Sequence, residues 1–158
     1  MADYNKIYEF MTGYAQFLKE TEIKEKNKMN VLLSNDVKKV ESTMNEYQFT
    51  VSAMQKYEDK RIELFNSENL AGMTFSQAAD TFSGEERKNL KILHAQIASL
   101  IENIRQFNKK SLEIANLNLR IMSEINLEAN DCSDANCYDR NGTQNGGIRK
   151  NSLFNATI

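Results

Sequence analysis

From Ser83 to Glu128, apolar residues recur three and four positions apart: Leu90, Leu93, Ile97, Leu100, Ile104, Phe107, Ile114, Ile121 and Ile125, with Ser111 and Asn118 as polar slots. That spacing lays a narrow apolar seam along one face of a single long helix, and such a helix must pack lengthwise against others. At ~1.5 Å per residue, about 45 residues make a rod on the order of 68 Å, too long for a small domain to cover along its whole length. Ser83-Gly84-Glu85-Glu86 has the form of a capping box and is expected to start it. Glu85 and Glu86 also suit the positive end of the helix dipole.

The preceding chain supplies two partners. A first helix is expected from Asp3 to Leu33, with Tyr4, Ile7, Met11, Tyr14 and Leu18 on one stripe, widened by Phe10 and Phe17. Its seam is expected to fade through the charged stretch Glu20–Lys28 and to return at Val31 and Leu32. Ser34-Asn35-Asp36 reads as a turn offering N-cap candidates. A second helix, Asp36 to Glu68, carries a heptad series of Val37, Val40, Met44, Tyr47, Val51, Met54 and Phe65, with Glu58 and Arg61 as a polar pair within the seam. Asn66–Met73 reads as a loop, and Thr74-Phe-Ser-Gln77 as a second capping box that opens a short helix. With Phe75, Ala78, Ala79 and Phe82 turned inward, that helix would plug one end of the bundle.

The chain has no Pro, and three of its six Gly fall after residue 141, a composition suited to long helices. The expected fold is all-α: an antiparallel bundle of three long helices with a short plug helix over residues 1–130, and a flexible C-terminal arm over 131–158. Short connections make the first two helices an antiparallel hairpin, and the long helix runs up beside it. The hairpin helices span only ~47–50 Å, so about Asn116–Glu128 is expected to overrun them by ~20 Å. This overhang holds Leu117, Leu119, Ile121, Met122, Ile125 and Leu127. Apolar side chains with no cover from their own chain mark an interaction surface. Leu117, Ile121, Met122, Ile125 and Leu127, together with Leu153 and Phe154 of the arm, are therefore the candidate binding residues.

The sequence carries no catalytic constellation: no phosphate loop, no nucleophile with a base, and no cofactor motif. Cys132 and Cys137 supply two soft ligands where a closed zinc site needs four, so no metal is expected. A net charge of −2, spread along the chain, offers no basic patch for nucleic acid or anionic lipid. The N-terminal residues lack signal-peptide character and no apolar run reaches the ~20 residues of a membrane span, so the chain is expected to be cytoplasmic and its cysteines reduced. His94, the one histidine, flanks the seam. It reads as structural, since Gln96-Ile97 stand where phosphotransfer helices place a Lys-Gly step. A histidine phosphotransfer module and a self-associating coiled-coil protein remain the alternatives to a chain that binds a partner protein.

Phe17-Leu18-Lys19-Glu20, Leu32-Leu33-Ser34-Asn35-Asp36-Val37, Tyr57-Glu58-Asp59-Lys60-Arg61, the Gly72–Phe82 plug and Tyr138-Asp-Arg-Asn-Gly142 stand in an order and spacing that resembles the FlgN-like flagellar type III export chaperones. The resemblance covers most of the chain. It implies a cytosolic chaperone, without enzymatic activity, that holds hook-associated proteins of the hook–filament junction before assembly and delivers them to the flagellar export gate. It also implies that the C-terminal region binds the client's terminal helices and that Tyr138 helps dock on the gate.

Overall fold

The computed structural model describes residues 2–134, and side chains to residue 127. Four helices follow in order: α1 (Tyr4–Leu33), α2 (Val37–Ser67), α3 (Phe75–Asp80) and α4 (Gly84–Asp134). The all-α expectation of three long helices and one short one holds for the described residues. By backbone proximity the chain divides into two units, Met1–Asn116 and Leu117–Ile158.

Local chemistry sets the helix ends. The Asp3 carboxylate accepts from the Asn5 and Lys6 amides at the start of α1, and Asp36 accepts from Lys39 at the start of α2. Between them, Ser34 N–H closes on the Asn30 and Val31 carbonyls and Asn35 takes a left-handed φ of 54°. The three turn residues thus serve as C-cap, reversal and N-cap in succession. At the far end of α2, Leu70 N–H donates to Phe65 O at 2.8 Å and Asn69 N–H to Asn66 O at 3.4 Å, with Asn69 left-handed at φ 59°. These are the paired bonds of a Schellman motif.

The Thr74–Gln77 capping box forms with both of its bonds. The one expected at Ser83–Glu86 does not: the chain passes through Gly84 at φ 56°, and the only bond onto Ser83 in that turn is Arg87 N–H to its backbone carbonyl. Glycine, having no Cβ, adopts that conformation at no steric cost.

In the first unit, α1 runs antiparallel to α2 and parallel to α4. Lys6 meets Glu68, Phe17 stacks on Tyr57 and Lys28 lies over Tyr47, so residue numbers on α2 fall as those on α1 rise. Against α4, Tyr4 meets Asn89, Glu22 meets Asn103 and Lys28 meets Asn108, offsets of 85, 81 and 80 residues. The core joins Ile7, Met11, Ala15 and Leu18 of α1 to Phe65 of α2 and to Leu90, Leu93, Ile97 and Ile104 of α4. Phe75, Ala78, Ala79 and Phe82 add the plug, all buried as expected.

Two expectations about the seams are corrected. On α2 the inward stripe is turned by one residue: Thr50 is buried, whereas Val51, Met44 and Val37 are exposed. The cause is a ring cluster in which Phe10, Tyr14 and Phe17 of α1 surround Tyr57, with centroids 6.2, 5.5 and 4.6 Å away. Such ring contacts contribute about 0.5–1.5 kcal/mol each beyond burial, which offsets the pull of the three exposed aliphatics on the helix rotation. On α1 the seam does not fade after Leu18. Thr21, Glu25 and Lys28 keep its three-four spacing and are all buried.

Candidate interaction surface and polar layer

The second unit is described from Leu117 onward. Six large apolar side chains stand on eleven consecutive residues of α4: Leu117, Leu119, Ile121, Met122, Ile125 and Leu127, each 45–66% exposed. At about 100° per residue they point around the full circumference rather than along one seam. A helix apolar on all sides belongs inside an assembly. Three of its polar residues pair locally: Arg120 Nε meets Glu124 Oε1 at 3.0 Å and Ser123 Oγ donates to the Arg120 carbonyl. All five candidate binding residues of α4 therefore lie together, with Leu119 among them. Leu153, Phe154 and Tyr138 lie outside the described residues, as does Cys137; Cys132 is placed only as part of the α4 backbone.

Sequence reading missed a layer of buried polar groups in the first unit. Lys28 Nζ sits 2.7 Å from Glu25 Oε2, 3.1 Å from Asn108 Oδ1 and 3.8 Å from the centroid of the Tyr47 ring. Thr21, Thr50 and Ser111 complete the layer. The Lys28–Glu25 contact is close but poorly directed, which leaves both carboxylate oxygens without an aligned hydrogen-bond partner; Ser111 Oγ, also buried, has none either. Burial first, then the facing Glu25 carboxylate, holds the Tyr47 phenol above its ordinary pKa of 10.0. The available signal was the unbroken spacing through Thr21, Glu25 and Lys28, hidden by their polarity.

Nearer the plug, Arg61 forks onto Glu58, at 2.6 and 2.9 Å, and lies over the Phe65 ring. The guanidinium holds the Glu58 carboxyl below its usual range. Tyr14, beside this pair, is raised by burial and by the Glu58 charge, with Arg61 opposing. The pairing of Glu58 with Arg61 anticipated from their spacing is therefore present. His94 is half-buried with its ring edge-on to Phe75 at 5.7 Å, a packing role. Among the described residues no group of three or more His, Cys, Asp or Glu is placed to hold a metal ion, and no helix is long and apolar enough to cross a membrane.

A family model described as FlgN protein matches residues 15–146. No curated protein and no solved structure matches the chain.

Proposed function

The chain belongs to the FlgN family of flagellar export chaperones, and from that premise we propose that it holds hook-associated proteins of the hook–filament junction in the cytoplasm and passes them to the flagellar export gate. The observation that carries this reading is the exposed apolar girdle of α4, where six large side chains await cover. Amphipathic terminal helices of a client would lie against Leu117, Ile121, Met122, Ile125 and Leu127 and complete a local bundle. Leu153 and Phe154 would add grip from the arm over 131–158, and Tyr138 would dock on the gate. Holding of this kind rests on apolar area and needs neither nucleotide nor metal.

The test is binding of hook-associated proteins to the full chain and to its Ile121→Ala/Ile125→Ala variant. The proposal expects affinity to fall about tenfold or more, the usual effect of losing central apolar anchors. Unchanged affinity refutes it. Sizing over a concentration series separates this from the self-associating alternative, in which mass rises with concentration and the double variant abolishes the rise.

A further inference from the structure

A second apolar opening lies in the first unit, away from the α4 girdle. Between α2 and α4 is a cavity of about 510 Å³, floored by Met11 and Tyr14 and walled by Ile62, Phe65, Ile97 and Ile101. Sites that enclose most of a ligand fall in this range of size.

Helical register carries both walls of the cavity on as exposed apolar faces. On α2, Val51 and Met44 stand one and two heptads before Glu58 of the cavity wall, and Val37 stands three before it. With Ile62 they fall within about 20° of a single line along the helix, and all four are 45–69% exposed. On α4, Arg105 and Leu112 follow Ala98 of the cavity wall by one and two heptads, and Leu112 is exposed as well. Because α2 descends where α4 ascends, Met44–Ile62 faces the stretch from His94 to Leu112 over about 27 Å, or five helical turns.

Charge indicates what fits. Of the α4 cations in the first unit, Arg87, Lys88 and Lys91 each pair with a carboxylate. Arg105, Lys109 and Lys110 form no ion pair among the described residues, and the first two fall on the groove side, within about 20° of Ala98. Exposed cations without an ion pair beside an apolar trough favour an acidic neighbour.

We propose that the α2–α4 groove is a docking site for one amphipathic helix of a partner protein, about five turns long, apolar where it fills the cavity and acidic along the flank that meets Arg105 and Lys109. The α2 stripe is then the far side of a helix that packs in two directions: polar Thr50 and Tyr47 toward α1, and aliphatic Val51 and Met44 toward the guest. This site is independent of the α4 girdle.

The experiment uses the full chain and a labelled synthetic peptide of about 20 residues with Leu at the a and d positions and Glu along one flank, followed by fluorescence anisotropy. A matched peptide with Lys in place of Glu is the control. The Glu peptide should bind at least about tenfold more tightly than the Lys peptide, and Val51→Lys or Ile62→Lys should each weaken it about tenfold or more. Arg105→Glu/Lys109→Glu should reverse the preference, and Ile121→Ala/Ile125→Ala should leave it unchanged. Circular dichroism should show the same fold for Val51→Lys and Ile62→Lys, whose parent side chains are exposed. Binding indifferent to Val51→Lys and Ile62→Lys, or lost instead in Ile121→Ala/Ile125→Ala, overturns the proposal. So does a dimer of the free chain that Val51→Lys dissolves, since the occupant would then be a second copy.

Discussion

Replacing Lys28 by Met tests the buried ion pair most directly. The two side chains are 5% and 0% exposed with 2.7 Å between Nζ and Oε2. At an effective dielectric of 20, that separation corresponds to a gross attraction of about 6 kcal/mol. Desolvation costs several kcal/mol per ion, so the pair as a whole is close to neutral for stability, while either member alone is not. Lys28→Met fills similar volume but leaves the Glu25 carboxylate in the core without its cation, and should cost about 3–5 kcal/mol. Glu25→Met/Lys28→Met removes both and should return to within about 1–2 kcal/mol of the parent, or exceed it. Urea unfolding followed by circular dichroism, with linear extrapolation, measures both values. Repetition at high salt should barely change them, because screening acts on exposed charges. The reasoning fails if Lys28→Met costs under about 1 kcal/mol, as an exposed pair would. It fails equally if the double variant is as damaged as the single one.

Other outcomes follow from the same geometry. Phe65→Ala, at a site 2% exposed where α2 meets the plug, should cost about 3–5 kcal/mol in the same urea assay. Ile121→Ala/Ile125→Ala should leave the melting temperature nearly unchanged, because both side chains are about half exposed; a loss of about 2–5 kcal/mol would place them in the core instead. In alkali, the unfolded chain gives up the Tyr47 proton near pH 10.0 while the folded chain retains it, so stability should fall above that pH, and Tyr47→Phe should flatten the fall. In acid the sign reverses. Glu58, Asp36, Glu68 and Asp80 are all held below their ordinary values of 4.5 or 3.8, so the stability they lend should be present above about pH 4.5 and lost as pH drops through their lowered folded values, as read by thermal melts from pH 6 to 2.

Periodicity and turn chemistry made the architecture legible. Ser34-Asn35-Asp36 placed the hairpin, Thr74–Gln77 placed the plug, and the Leu90–Ile104 spacing placed the shared core. The rotation of α2 could not be read the same way. An aliphatic heptad makes Val51 look inward and Thr50 outward, yet the deciding contacts come from Tyr57 and the rings of α1, far apart in sequence. The charged layer escaped for a related reason. Glu25 and Lys28 keep the spacing of core residues, but polarity alone reads as solvent-facing until a partner such as Asn108 is brought alongside. At Ser83 the capping-box pattern was outweighed by the left-handed turn through Gly84. For the α4 girdle, the apolar run at Leu117–Leu127 and, at about 100° per residue, its spread around the helix were both legible in the sequence.

Within the first unit, buried apolar side chains are concentrated toward the plug and buried polar and charged ones toward the hairpin tip. Amide hydrogens near Leu18, Phe65 and Leu93 should therefore exchange with solvent last, and those flanking Lys28 and Tyr47 well before them. A bundle graded in this way comes undone from the tip like a zip fastener with its stop at the bottom. Force applied at the tip end would meet the weakest layer first and the strongest last.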